Sequence, residues 1–202
     1  MIDAKTVAEL RAMTGAGMVE CKKALEEAGG DLKKAVEVLH KNGAAKAAKK
    51  SDRTTAEGII HAYVHSNEKV GALVELQCET DFVARTQDFK DLAHEIAMQV
   101  AATDPAFVSP DSIPAGEVEK ARAAFMAEIA EDKKPDDIKA KIVDGRLNKW
   151  FAEATLLKQA WVKDEDKTIE QLINEKIATI GEKIVVARIS RFHLSAMPRV
   201  EE

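Results

Sequence analysis

The sequence predicts an α+β protein: an N-terminal three-helix bundle, then a three-stranded antiparallel sheet covered by helices, with a projecting antiparallel coiled-coil hairpin. Three observations predict it. Short apolar stripes of helical period, punctuated by glycines, fill the first 43 residues. Two segments of period two flank a polar turn, and a β-branched run near the other end of the chain offers a third strand. Two highly charged helical segments carry only thin apolar seams. The divisions expected are a docking bundle over residues 1–43, a basic linker over 44–56, and a sheet-and-helix core over 57–202 with the arm at about 115–152.

In the bundle, Thr6 and Glu9 have capping-box spacing, and Val7, Leu10 and Met13 form a stripe that Thr14-Gly15-Ala16-Gly17 ends. Val19, Cys21, Ala24, Leu25 and Ala28 follow at near-helical spacing until Gly29-Gly30. Asp31 caps a third helix whose Leu32, Ala35, Val36 and Leu39 keep the i, i+3, i+4, i+7 rule, expected to stop at Asn42-Gly43. This pattern resembles the ubiquitin-associated type of three-helix domain. Bundles of this size have too little interior for a catalytic pocket and usually dock onto something. The loop at 14–18, TGAGM, reads equally as a plain connection or as a contact surface. Beyond it, Lys46, Lys49, Lys50 and Arg53 face only Asp52, and the apolar stripe is lost, as in a solvated linker.

Residues 59–65 place Ile60, Ala62 and Val64 on one face, and residues 72–78 do the same with Ala72, Val74, Leu76 and Cys78; the polar residues 66–69 turn the chain between them. Two strands alone are marginal in water, so residues 183–193, with Ile184, Val185, Val186 and Ile189, are expected to join the sheet. A helix over about 87–102 carries the stripe Phe89, Leu92, Ala93, Ile96 and Val100, and Asp104-Pro105 ends it. Residues 115–131 and 135–152 form the two arms of a hairpin that turns at 132–135. A last helix starts at Thr168, with Gln171 at the capping-box position, and runs to Gly181.

The chain is organised around residues 76–85, LQCETDFVAR, where the second strand gives way to helix. Thr80, Asp81, Phe82 and Val83 put an acid and a ring side by side on that connection. A Phe in a short connection packs into its own core more often than it meets a partner, so a buried corner and a presented probe both stand as readings at this point.

Composition narrows the function. With 202 residues and 46% hydrophobic content the chain can bury a core, and its net charge of -5 argues against a general polyanion binder. Aromatic residues make up 4%, too few for stacking platforms on bases, so direct nucleic-acid binding is not expected. Cys21 and Cys78 have no paired spacing and no neighbouring His cluster, and read as reduced core residues. His61 and His65 share strand parity but lie about 13 Å apart along a strand, so no metal site is expected. No glycine-rich phosphate loop, cofactor motif, leader or membrane-spanning run is found, which points to a cytoplasmic protein with no cofactor, acting by binding rather than by covalent chemistry.

Two stretches then match a known family. LRAMTGAGMVECKKAL, residues 10–25, and ELQCETDFVAR, residues 75–85, resemble the two signature motifs of the elongation factor Ts family, guanine-nucleotide exchange factors of elongation factor Tu. The order of parts, ending in a C-terminal strand and tail, is similar too. The resemblance implies that Asp81 and Phe82, within Thr80 to Val83, enter the nucleotide domain of elongation factor Tu and disturb its magnesium site. It implies further partner contacts at Arg11, Met18 and Val19. The implied partner is bound both with GDP and nucleotide-free.

One departure is clear: longer members resemble a core with two three-stranded units, whereas this chain has strands for one. The apolar alternation at 72–78 and the β-branched run at 184–189 suggest that two copies pair through their sheets. Two other readings compete with exchange activity. One is an adaptor built on the ubiquitin-associated-like bundle; the other is a thiol hydrolase using Cys78 with His61 or His65.

Overall fold

The computed structural model of the chain describes residues 2–130 and 135–194. The bundle comprises α1 (Ala4–Thr14), α2 (Met18–Glu27) and α3 (Leu32–Ala48). Val7, Leu10, Cys21, Ala24, Leu25 and Ala35 form its small core. The cap of α1 differs from the expected capping box: Asp3 accepts from the Thr6 N–H at 2.6 Å, so the helix starts earlier. An aspartate two residues ahead of Lys5 satisfies the orphan amides first, leaving Thr6 inside the first turn.

The expected end of the third helix at Asn42-Gly43 is also corrected, since α3 continues through Gly43 to Ala48. Its last turns lie against the helix of residues 169–180: Gly43 is buried, with the Asn174 backbone beside it. The alanines and lysines of 44–48 extend the helix by propensity, and tertiary contact stabilises what propensity begins.

The sheet has the order β1-β2-β5, all antiparallel, from β1 (Glu57–Val64), β2 (Val70–Cys78) and β5 (Ile184–His193). A register shift between Glu75 and Leu76 adds a residue to β5. Between β2 and β5 in sequence come α4 (Asp81–Ala84), α5 (Gln87–Thr103), α6 (Ala115–Glu128), α7 (Asp136–Ala154), a small ladder of β3 (Ala160–Trp161) and β4 (Asp164–Thr168), and α8 (Ile169–Ile180). Thr86 caps α5 through the Phe89 N–H, and Thr168 and Gln171 form the expected capping box of α8, which Gly181 ends in a left-handed conformation.

The main core lies between the sheet and α5 and α8. Val74, Leu76 and Cys78 are fully buried against Phe89, Ala93, Ile96 and Ala97 of α5 and Ile169 of α8. On β1 the inward residues are Ile59, His61 and Tyr63, paired with Leu76, Val74 and Ala72. The face of Ile60, Ala62 and Val64 points to solvent instead. Gly58 sits at φ 156°, and a Cβ there would lie 2.2 Å from the Leu76 carbonyl oxygen, so only glycine lets β1 approach β2 at that point.

The ladder of β3 and β4 is a further addition. Buried Gln99 of α5 holds it: its Nε2 donates to Ala160 O at 3.0 Å, and its Oε1 accepts from Val162 N–H at 2.9 Å. The arm of α6 and α7 has its own core of Ile129, Val143 and Leu147, with Phe125 and Trp150 packed against it. The expected turn at 132–134 and the tail beyond 194 lie outside the described residues.

Bundle and core meet along α3 and α8. His40 Nε2 lies 2.7 Å from Glu175 Oε1, a close contact without hydrogen-bond alignment, and Lys167 Nζ donates to Glu175 Oε2 at 2.8 Å. Burial alone would raise the Glu175 carboxyl, but the His40 and Lys167 contacts outweigh it and hold the group below its ordinary range.

Candidate partner-binding site

Residues 80–83 are not an open loop. Asp81–Ala84 is a single helical turn, and Thr80 is its N-cap, with its side-chain oxygen accepting from the Val83 N–H at 3.5 Å. The sequence signals explain the turn: a threonine at the cap, an acid in the first turn, and then Thr86, whose own cap function starts α5 and so limits α4 to one turn. Val83 packs against the main core and Ala84 is buried, which fixes the inner side of the turn.

Phe82 is on the outer side and is 79% exposed. The buried-corner reading of this ring is therefore excluded by its place in the fold. A phenyl ring left in water forgoes about 1.5–3 kcal/mol of burial, which is available to a partner that covers it. Asp81 beside it pairs with Arg85 one turn on, at 2.8 Å. The Cys78 thiol donates to Thr80 O at 3.2 Å underneath, which ties the strand end to the cap.

The second candidate surface lies on the bundle. Arg11, Met18 and Val19 are all at the joined ends of α1 and α2, and all are exposed, Met18 at 44% and Val19 at 67%. Met13 and Val19, both placed in core stripes by periodicity, are exposed as well. Met13 is a contact candidate that sequence reasoning missed, although its position beside the glycine-flanked loop was a usable signal. That loop is ordered by its own hydrogen bonds. Gly15 at φ 68° donates to Arg11 O at 2.8 Å, Thr14 Oγ1 donates to Leu10 O at 2.8 Å, and Ala16 N–H donates to Thr14 Oγ1 at 3.4 Å.

Glu182, in the α8–β5 turn, hydrogen-bonds the Thr80 amide and hydroxyl. No local signal in the sequence announces it.

The thiol-hydrolase arrangement does not assemble. Cys78 is fully buried, and burial with the nearby Glu182 charge pushes its thiol up to about 11, so it carries its proton at neutral pH. His61 is taken by His94, Nε2 to Nδ1 at 3.2 Å, and His65 by the Tyr63 hydroxyl at 3.0 Å. Burial and the neighbouring His94 lower the His61 pKa. Among the described residues no three His, Cys, Asp or Glu side chains group to hold a metal, and no helix is long and apolar enough to cross a membrane.

A braced aromatic turn on a sheet-and-helix core, with a separate apolar patch on a small bundle, gives the molecule two exposed surfaces of the kind that meets another macromolecule. Comparison with known proteins gives the particular class. The family described as Elongation factor TS matches residues 4–194. The chain is 53% identical to Elongation factor Ts of Thermosipho melanesiensis over 95% of its length and 98% of that protein's. It is 48% identical to Elongation factor Ts of Moorella thermoacetica, covering 96% of each chain. It is 52% identical to Elongation factor Ts of Thermotoga maritima, covering 93% of this chain and 94% of that one. The chain belongs to the elongation factor Ts family, whose place is in translation elongation.

Proposed function

We propose that this chain is a cytoplasmic guanine-nucleotide exchange factor that binds elongation factor Tu, both GDP-bound and nucleotide-free, and promotes GDP release and GTP exchange. Residues 80–83 are the acting element: Phe82 wedges into the partner's nucleotide domain, and Asp81 approaches the magnesium and nucleotide site. Arg11, Met18 and Val19 hold the partner from the bundle. The observation that carries the reading is the exposed Phe82 on a capped turn whose inner side is packed into the core.

The physics is differential binding. A ring entering between packed elements favours one of two arrangements of them, and displacing the magnesium removes the positive charge that holds the phosphates. A ten-thousandfold acceleration of release needs about 5.5 kcal/mol off the barrier, within reach of one buried aromatic anchor together with its surrounding contacts. Linkage then requires that nucleotide weaken the grip of this protein by the same factor by which the protein weakens nucleotide binding, so the cycle turns over with no covalent step. The test follows release of fluorescent GDP from elongation factor Tu. Acceleration on adding this protein is expected, and release at the intrinsic rate would sink the reading.

A pairing of two copies through the sheet is part of the same proposal, on a corrected basis. The even-numbered residues of 72–78 are covered by this chain's own helices. The uncovered face instead presents Ile60, Val64, Leu73 and Phe192, all exposed. Light scattering at tens of micromolar should give twice the chain mass; a monomer there would refute the pairing.

A further inference from the structure

A carboxylate more than a hundred residues away in sequence holds the acting turn. Glu182 Oε2 accepts from the backbone N–H of Glu79 at 3.1 Å and of Thr80 at 3.0 Å, and its Oε1 accepts from the Thr80 hydroxyl at 2.7 Å. The contact is reciprocal. Glu79 Oε1 accepts from the Lys183 backbone N–H at 2.6 Å, and this bond, then Arg53, holds the Glu79 carboxyl below its ordinary range. Two adjacent pairs, Glu79-Thr80 and Glu182-Lys183, thus clasp each other by backbone and side chain in both directions.

The clasp reaches further. Arg53 Nη1 donates to both Glu79 oxygens, at 3.1 and 3.2 Å. Lys183 Nζ donates to Ser51 O at 2.6 Å and Arg53 O at 2.9 Å, and Lys50 Nζ donates to Gly181 O at 2.8 Å. The segment that leaves α3 is therefore fastened to the same turn that holds Thr80. Three stretches distant in sequence, 50–53, 79–80 and 181–183, meet at one polar node at the start of the turn that carries Phe82.

We infer that Glu182 is a positioning residue for exchange. It fixes the direction in which Phe82 is presented and, through Lys183 and Arg53, the placing of that ring relative to the contact patch on the bundle. The inference rests on the proposed exchange function. Its physical reason is that a single helical turn has almost no intrinsic stability, so its orientation is set by what satisfies the amides at its start. Thr80 satisfies the Val83 amide from within; Glu182 holds the amides of Glu79 and of the cap residue Thr80, which lead into the turn, and engages the capping hydroxyl itself. A wedge free to swing would spend binding free energy on being ordered in the complex, and that loss falls on the rate at saturation rather than on initial attachment.

The experiment compares Glu182→Ala, Glu182→Gln and Phe82→Ala in the full chain, with fluorescent GDP bound to elongation factor Tu. Loss of these hydrogen bonds in Glu182→Ala should lower the saturating exchange rate about tenfold and leave the half-saturating concentration within about threefold. Glu182→Gln keeps an acceptor for the two amides and should retain most of the rate. Amide hydrogen exchange supplies the readout that loss of fold would not mimic. In Glu182→Ala the amides of Glu79 and Thr80 should lose protection while those of Val74 and Val100 keep it.

A wild-type rate in Glu182→Ala alongside a slow Phe82→Ala would overturn the positioning role and leave the wedge intact. So would a slow Glu182→Ala whose whole sheet had lost protection. A fast Phe82→Ala would overturn the wedge, and the positioning role with it.

Discussion

The turn at 80–84 and the patch at the α1–α2 junction both offer apolar side chains to water, but on opposite supports. The turn presents one ring, flanked by the Asp81–Arg85 pair and anchored by a carboxylate from the far end of the chain. The patch presents Met13, Met18 and Val19 on the ends of two helices, and its hydrogen bonds are local, from Gly15, Thr14 and Ala16. Methionines adapt to what they touch, whereas a phenyl ring on a capped and clasped turn keeps its direction. One support suits holding a partner whose surface shifts during the cycle. The other suits imposing a shift on it.

The largest effect is expected where the scaffold of the turn itself is broken. Ala at Gly58 would place its Cβ 2.2 Å from Leu76 O and 2.8 Å from Gln77 Cα, both backbone atoms with nowhere to move. Gly58→Ala should cost more than about 3 kcal/mol in chemical denaturation. Amides of β1 and β2 should lose protection while those around Leu10 and Leu25, in the separate bundle core, keep theirs. Unfolding within about 1 kcal/mol of wild type would show that the two strands can part there without loss.

A smaller effect divides the two surfaces directly. Phe82→Ala should lower the saturating exchange rate by about a hundredfold with little change in half-saturation, and the pair Met18→Ala with Val19→Ala should raise half-saturation about tenfold at an unchanged saturating rate. Both variants alter exposed side chains, so both should melt as wild type. If the two sets move the same kinetic parameter, holding and acting are not divided between these surfaces.

How much of this was legible in the sequence follows the range of the interactions involved. Caps at Asp31 and Thr168 were readable because donor and acceptor lie within one helical turn, and the buried stripe of α5 because its spacing is local. The face of β1 was not: Ile59, Ile60, Ala62, Tyr63 and Val64 are apolar on both parities, and only the pairing with β2 and the cover of α5 choose between them. The β3–β4 ladder has charged residues and strands too short for any period; its place is set by long-range contacts, those of buried Gln99 and the packing of Trp161 against the main core among them. At the site, Thr80 as a boundary and the acid-ring pair could be read. That Phe82 faces outward, and that Glu182 holds its base, depend on contacts across a hundred residues of chain.

The smallest effect sharpens the comparison at the joint between the two supports. Gly43 was expected to end α3 and instead lies within it, buried beside α8. A Cβ at Gly43 would meet Asn174 O at 3.5 Å and Asn174 C at 3.7 Å, ordinary contact distances, and its φ is helical, so nothing there demands glycine. Alanine in a helix interior is favoured over glycine by about 0.8–1 kcal/mol, and Gly43→Ala should raise stability by that order. If it does, α3 and α8 meet at ordinary contact distance, and the patch is carried on a helix that can be stiffened without moving it. Exchange kinetics should then be unchanged. A loss of stability would mean that the two backbones pack more closely than these distances allow, and that the bundle's position relative to Phe82 depends on the missing side chain at residue 43 as well as on the clasp at Glu182.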